Sequence, residues 1–205
     1  MLIVEGLRTK AGGPLGFAIG GGEIVALRGP SGAGKSLLLR AIADLDPAAG
    51  EVSLGGTPRA RIAAPEWRRR VAYVPAESGW WGDRVGAHFP AGGGSESNRI
   101  AELIEALGLD PAALGWEVRR LSTGERHRLA IARALVREPE VWLFDEPTAA
   151  LDAEAASLVE AVIRKGRARG AAILLVTHDG AQAARLADRT LTMADGCLVA
   201  REGVG

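Results

Sequence analysis

Residues 23–45 read "EIVALRGPSGAGKSLLLRAIADL" and decide the fold. The apolar "EIVAL" predicts a buried strand, whereas "LLLRAIADL" is too long for a typical buried strand and predicts a helix. Between them, residues 29–36 match the pattern G-x-x-x-x-G-K-[ST] in full. The stretch therefore predicts a strand, a phosphate-binding loop and a helix that begins at the loop.

The loop has the chemistry that a phosphate site requires. Its glycines allow a tight turn, so that successive N–H groups and the helix N-terminus face one anion. Lys35 supplies a positive charge to the outer phosphates, and the Ser36 hydroxyl is a candidate Mg²⁺ ligand. The alternative is a glycine-rich turn that binds nothing, but the strand and helix on either side argue against it. The predicted nucleotide-binding residues are Gly29, Pro30, Ser31, Gly32, Ala33, Gly34, Lys35, Ser36 and Leu37.

Two adjacent carboxylates end the apolar run in "LFDEPTAALD", residues 143–152. Burying even one charge is costly, so this strand end must lie near something that favours negative charge. A phosphate-bound Mg²⁺ is such a group, and we predict that Asp145 helps to hold it. Glu146 could orient or deprotonate an attacking water, an assistance typically worth about 10²–10⁴-fold in rate. The alternative is a surface carboxylate that caps the next helix.

The rest of the chain alternates between short apolar segments and helical patterns. Strands are predicted at 2–4, 16–19, 51–54, 71–74, 141–145 and 171–179, with a final hairpin at 190–200. A helix is predicted from Ser97, its cap, to Gly108, and Asp110-Pro111 begins a short one. Longer helices are predicted over residues 124–138 and 153–170. Alternating strands and helices predict an α/β fold with a mostly parallel sheet.

Composition excludes several classes of protein. The 205 residues include 25 Lys+Arg and 25 Asp+Glu, so the positive and negative charges cancel. This balance gives no indication of a nucleic-acid partner. A single cysteine, Cys197, cannot form an internal disulfide, which is typical of a reducing compartment. No secretory signal and no apolar run of membrane-spanning length is present. We therefore expect a soluble globular chain that does not cross a membrane by itself.

A second anion-binding arrangement occurs in "LSTGERHRLAIARAL", residues 121–135. Ser122, Thr123 and Gly124 precede a long helix, and one nucleotide does not need two such helix ends. Two chains that meet head to tail would let each donate this segment to the nucleotide of the other. An ordinary helix N-cap is the alternative.

With these motifs in this order, the sequence resembles the ATP-binding subunits of ABC transporters over nearly its whole length. The resemblance is carried by "GPSGAGKS", "LSTGE", "VWLFDEP", "ALD" at 150–152 and "LLVTHD" ending at 179. It implies a P-loop NTPase core with a mostly parallel sheet, a small antiparallel β subdomain and a short helical lobe. It also implies one domain over residues 1–205. Residues 1–76 and 137–205 would form the catalytic core with the antiparallel subdomain, and 77–136 the helical lobe with the signature helix.

The resemblance also implies roles for residues and partners. Two chains, as a homodimer or a heterodimer, would sandwich two Mg-ATP. Lys35, Glu146 and His178 would be catalytic, Ser36 and Asp145 would hold Mg²⁺, and Asp152 would lie at the dimer seam. The signature segment, which would contact the partner's nucleotide, is Leu121, Ser122, Thr123, Gly124 and Glu125. An integral membrane permease would be the further partner, with the chain cytoplasmic and peripheral on the inner face of the cell membrane.

Some positions depart from the family pattern. Ala76, followed by Glu77, stands where a glutamine is usual, and "LRTKAGG" at 7–13 lacks the aromatic residue that usually stacks on adenine. We therefore expect a modest preference for ATP over GTP. Trp80, Trp81 and Phe89 follow; they either pack in the core or line a groove for a permease helix.

Alternatives to a transport ATPase remain. One is a nucleotide switch with weak hydrolysis, which Ala76 and the missing aromatic favour. Another is an ABC-type ATPase of DNA repair or translation, against which the absence of a coiled-coil insertion and of a second phosphate loop argues. A P-loop phosphotransferase would leave "LSTGE" unexplained. The sequence does not identify the transported substrate, the permease or the direction of transport.

Overall fold

The computed structural model describes residues 1–91 and 93–203. Ten strands and six α-helices occur in this part of the chain. The strands are β1 (Leu2–Thr9), β2 (Gly12–Ile19), β3 (Ile24–Arg28), β4 (Ala49–Leu54), β5 (Thr57–Pro58), β6 (Val71–Val74), β7 (Val141–Asp145), β8 (Ala172–Val176), β9 (Arg189–Ala194) and β10 (Cys197–Gly203). The helices are α1 (Lys35–Ile42), α2 (Ala64–Arg70), α3 (Ser95–Ala106), α4 (Thr123–Leu135), α5 (Ala153–Ala168) and α6 (Gly180–Leu186).

The strands form two sheets. The larger sheet has the order β10-β9-β3-β8-β7-β6, in which β3 is parallel to β8 and β9, and β8 is parallel to β7. The smaller sheet, in the order β2-β1-β4-β5, is antiparallel. The predicted α/β class, with a mostly parallel sheet and a small antiparallel one, is confirmed. The terminal hairpin is also confirmed, since β9 and β10 pair antiparallel.

The centre of the larger sheet is apolar because its strands are covered on both faces. β7 and β8 are buried along their whole length, and β3 is buried except for its last residue. Strands of this kind have continuous apolar sequences instead of alternating ones. Since β3, β7 and β8 are parallel, their carboxyl ends lie at one edge of the sheet, where ligands bind in open α/β folds.

The chain divides into two compact units. One contains residues 1–73, residues 139–146 and the described residues from Arg164 onward, and the other contains the described residues of 74–138 together with 147–163. The predicted division into a core and a helical lobe at 77–136 stays a prediction.

Element bounds differ from the sequence-based ones in a few places. α3 begins at Ser95 with Gly94 as its N-cap, so the predicted cap at Ser97 is wrong. Asp110 is a cap as predicted, since its Oδ1 accepts from the N–H of Ala112 at 2.8 Å and a 3₁₀ turn follows. β5 and α2 were not predicted. Among the described residues, no helix is long and apolar enough to span a membrane.

Candidate nucleotide-binding site

A cleft of about 250 Å³ lies at the carboxyl ends of β3, β7 and β8. The loop after β3, the end of β7 and the residues after β8 all contribute side chains to it. Its lining residues are Ser31, Gly32, Gly34, Lys35, Ser36, Leu37, Asp145, Glu146 and His178. The sequence singled out the phosphate loop, both strand-end carboxylates and the histidine. They lie in three separate segments of the chain, and the structure brings them together around one cleft.

The loop conformation depends on two glycines. Gly29 has φ +149°, and a Cβ placed on it would lie 2.0 Å from the carbonyl oxygen of Met193. Gly34 has φ +97° and is the N-cap of α1; its added Cβ would lie 2.5 Å from the Cβ of Ala11. Both positions exclude a side chain, so the backbone can turn its N–H groups toward an anion in front of α1.

Lys35 is the first residue of α1, and its side chain is buried. Its Nζ donates to the carbonyl oxygens of Gly29 at 2.8 Å and Pro30 at 2.9 Å, so the ammonium braces the loop. Burial lowers the pKa of Lys35, while the charges of Glu146 and Asp145 oppose that shift. A phosphate would supply the negative charge that this buried ammonium lacks at short range.

Asp145 is buried at the end of β7. Its Oδ2 accepts from the hydroxyl of Tyr73 at 3.2 Å, and this bond orients the carboxylate. Burial raises the pKa of the Tyr73 phenol, and the charge of Asp145 adds to the shift, so the phenol stays a donor at neutral pH. The sequence did not single out Tyr73, because this residue lies in an ordinary strand, 72 residues before Asp145.

Glu146 and His178 face each other across the cleft. Nε2 of His178 is 3.1 Å from Oε1 of Glu146, and both side chains are partly open to solvent. Glu146 has φ +52°, a left-handed conformation that costs a residue with a side chain about 1–3 kcal/mol. Its backbone N–H donates to the carbonyl of Val176 at the end of β8, which helps to hold this conformation. Strain of this kind is concentrated at functional sites.

Oxygen ligands for Mg²⁺ are present in the same cleft. The Ser36 hydroxyl and the Asp145 carboxylate both line it, and hydroxyl and carboxylate oxygens are the ligands that Mg²⁺ prefers, together with phosphate oxygens. The donor set of this cleft therefore fits a magnesium-bound nucleotide.

The signature segment begins α4. Ser122 is the N-cap: its Oγ accepts from the N–H of Glu125 at 3.2 Å, and the Glu125 carboxylate accepts from the N–H of Ser122 at 2.8 Å. This capping box lowers the pKa of Glu125 through those hydrogen bonds. Leu121 is buried, while Ser122 and Thr123 are exposed. The segment is thus an ordinary cap that leaves the first turn of α4 accessible, and both sequence interpretations remain compatible with it.

Asp152 and the residues that depart from the family pattern are not among the lining residues of the cleft. Asp152 accepts from the N–H of Ala155 at 2.8 Å, next to the start of α5. Ala76 and Glu77 are exposed after β6. The turn between β1 and β2 carries Ala11, whose Cβ points at Gly34 as described above. No aromatic residue stands in that turn.

A phosphate loop, an acidic strand end and a histidine around one cleft define the class of P-loop nucleotide-binding proteins. Comparison with known proteins agrees. Residues 13–149 match the ABC transporter family profile, and the chain belongs to this family.

Curated relatives cover nearly the whole chain. An Fe(3+) ions import ATP-binding protein of Rhodococcus jostii is 38% identical over 210 residues, which cover 96% of this chain and 60% of that protein. An aliphatic sulfonates import ATP-binding protein of Paracoccus denitrificans is 40% identical over 209 residues, covering 98% of this chain and 80% of that protein. The chain therefore spans about 60% of the length of the iron-import relative.

Solved structures share the fold. An ATP binding subunit of an ABC transporter superposes with a TM-score of 0.91 at 27% identity, covering 100% of this chain and 90% of that one. A dimeric ATP-binding cassette in a post-hydrolysis state, bound to ADP and Pi, superposes with a TM-score of 0.88 at 24% identity, covering 100% and 99%. At that identity the second likeness shows the fold alone.

Proposed function

We propose that this chain binds and hydrolyses ATP, and that two chains meeting head to tail use it to power a membrane transporter. The observation that carries the proposal is the single cleft that gathers the phosphate loop, Asp145, Glu146 and His178. A glycine-rich turn alone would not need two carboxylates and a histidine at the ends of two further strands.

Each residue of the cleft has a role in this proposal. The backbone N–H groups of the loop and the Lys35 ammonium bind the β- and γ-phosphates of the substrate. Glu146 accepts a proton from the attacking water, whose oxygen bonds to the γ-phosphorus as the bond to ADP breaks. His178 contacts the γ-phosphate, and its 3.1 Å approach to Glu146 lets it also orient that carboxylate.

Mg²⁺, held by Ser36 and Asp145, would neutralise charge that develops on the phosphates. Tyr73 keeps the Asp145 carboxylate turned toward the cleft through its 3.2 Å bond. The signature segment would face the nucleotide bound by the partner chain, where the exposed first turn of α4 offers its N–H groups. Asp152 would lie at the seam between the two chains.

A membrane permease is the further partner that we propose. The two curated relatives described above are named as import ATP-binding proteins, which supports import as the direction. Their printed cargoes differ, an iron ion in one and aliphatic sulfonates in the other, so the cargo is determined by other components. The chain would be cytoplasmic and held on the inner face of the cell membrane by the permease. Trp81, with 76% of its surface exposed, is the best-placed aromatic for that contact, whereas Phe89 is buried.

The experiment that tests the proposal is ATP turnover by the purified chain over a range of protein concentrations, with Glu146→Gln as the control. We expect a rate per chain that rises with concentration and vanishes in Glu146→Gln, while circular dichroism shows the same fold. Phosphate release that is equal in the two proteins would refute the assignment of Glu146.

A nucleotide switch with weak hydrolysis is the second candidate, and Ala76 is the observation that favours it. Glutamine at this position would restore the family pattern, so Ala76→Gln should raise turnover if the chain is a slow ATPase. ATP binding with negligible turnover in both proteins would favour the switch.

A further inference from the structure

His127, on the second turn of α4, is a buried titratable group that the proposed mechanism does not use. Its side chain is 4% exposed, and its Nε2 lies 2.9 Å from the carbonyl oxygen of Pro147. A carbonyl oxygen only accepts, so Nε2 carries the proton and donates. Burial lowers the pKa of the imidazole more than this bond raises it. The ring is therefore a neutral donor fixed in one tautomer.

The same side of α4 lies against residues 147–151, the loop after Glu146. Gly124 lies three residues before His127, so the two share a helix face. A Cβ placed on Gly124 would lie 3.3 Å from Cδ2 of Leu151 and 3.9 Å from the carbonyl oxygen of Ala150. The helix that begins with the signature segment is thus packed along residues 147–151.

This loop begins at the residue that the proposed mechanism uses as the base. Glu146 is in the left-handed conformation, and its N–H is held by the carbonyl of Val176. The next residue, Pro147, has no N–H of its own, so its carbonyl is the backbone group through which it can be held, and His127 holds it. A conformation of this kind persists only where the surroundings over-determine it.

We propose that His127 is a positioning residue for Glu146: by fixing the Pro147 carbonyl it sets the backbone beyond Glu146 and thereby the direction of the Glu146 carboxylate. The bond also joins α4, the helix of the signature segment, to Pro147, which follows the proposed base Glu146 in the same chain. The inference rests on the proposed function, because it assigns Glu146 its role with water.

Three variants of the full chain test the inference. His127→Leu removes the donor and fills the buried space with an apolar side chain, whereas His127→Gln keeps an N–H donor. Leu135→Val is the matched control: it truncates a buried side chain of α4 about 12 Å along the helix from His127. Turnover is measured against ATP concentration, together with the midpoint of thermal unfolding.

In His127→Leu we expect kcat to fall about tenfold or more while KM for ATP stays within about twofold, since positioning acts on the chemical step. His127→Gln should recover kcat to within about threefold of the wild-type value. A kcat in His127→Leu equal to that of Leu135→Val, or a failure of His127→Gln to recover it although it folds, would overturn the inference and leave the proposed function standing.

A second readout needs no turnover. The chain has three histidines, so ¹⁵N spectra of the labelled imidazoles are simple to assign. His88 is an internal reference of the opposite tautomer, because its Nε2 accepts from the N–H groups of Trp81 and Gly82 at 3.0 and 2.9 Å. A protonated Nε2 is expected for His127, and a bare Nε2 would overturn the inference. If wild-type turnover is absent although Nε2 is protonated, the proposed function fails, and the role of His127 in positioning a base fails with it.

Discussion

At the residue scale, Tyr73 shows how a side chain outside every motif can control a motif residue. Its hydroxyl bonds to Oδ2 of Asp145, the proposed Mg²⁺ ligand. Groups that orient a metal ligand typically contribute about tenfold or more to metal affinity. We predict that Tyr73→Phe raises the Mg²⁺ concentration for half-maximal ATP turnover about tenfold, with the unfolding midpoint little changed.

The control for this prediction is ATP turnover at saturating Mg²⁺, which should approach the wild-type rate because excess metal compensates for weaker binding. An unchanged Mg²⁺ requirement would mean that the Tyr73 bond does not orient Asp145. Tyr73 is the only tyrosine of the chain, so its loss can be verified by absorbance.

Ala11 is the second residue whose chemistry can be tested by substitution. It lies in the β1–β2 turn, with its Cβ beside the N-cap position of α1, and the turn contains no ring. Base–aromatic stacking is worth about 1–3 kcal/mol and tolerates any base. We predict that Ala11→Tyr tightens ATP and GTP binding alike, by about tenfold or more, and that the wild-type chain distinguishes the two nucleotides by less than about tenfold.

Nucleotide titration monitored by tryptophan fluorescence measures both quantities. Lys10→Tyr is the matched control, because it places the same ring one residue earlier on an exposed side chain. Equal tightening by both variants would argue against a specific place for the base beside Ala11.

At the element scale, the motif-bearing elements were predictable, whereas two short connecting elements, β5 and α2, were not. β3, β7 and β8 are apolar runs, of which β3 ends at Arg28 and β7 at Asp145, so their strand type is evident in the sequence. α2, in contrast, has only seven residues and contains "PEWRRR", with a proline near its start and three arginines at its end. Its one buried side chain is that of Trp67, and the local sequence does not show what this ring contacts.

Trp67 is fully buried, and its Nε1 donates to the carbonyl of Ile42 at the end of α1 at 2.9 Å. Trp67→Phe leaves a cavity and removes the donor of a buried carbonyl. We therefore predict a loss of about 2–4 kcal/mol in the free energy of unfolding in urea. Trp116→Phe is the matched control: its side chain is 39% exposed, and its loss should be within about 0.5 kcal/mol. Equal losses would show that α2 contributes nothing specific.

The candidate site, like the fold, contains parts that the sequence predicts and parts that only the structure shows. The positions of the phosphate loop, Asp145 and Glu146 could be predicted from strand, loop and charge in the sequence, whereas His178 was indicated by the family resemblance. Tyr73 and His127 were not, since each acts through a contact with a residue distant in the chain: Asp145 for the first and Pro147 for the second. Neither contact leaves a local pattern, and only the folded chain shows it.

At the scale of the whole molecule, the proposed function gives the exposed first turn of α4 a role in the nucleotide site of a second chain. The proposed arrangement makes each site from the phosphate loop of one chain and the signature segment of the other. Two inactive variants should then complement each other. Lys35→Ala removes the phosphate-binding cation. Thr123→Asp places a carboxylate where the partner's γ-phosphate would lie, and its charge at the first turn of α4 also favours the helix.

We predict that neither variant alone hydrolyses ATP, and that an equal mixture recovers at most about a quarter of the wild-type rate. Half of the dimers then contain one chain of each kind, and each of these has one intact site out of two. Pull-down of an untagged chain by a tagged one in the presence of Mg-ATP verifies that mixed dimers form. If mixed dimers form and no turnover returns, both segments act within one chain, and the head-to-tail arrangement is wrong.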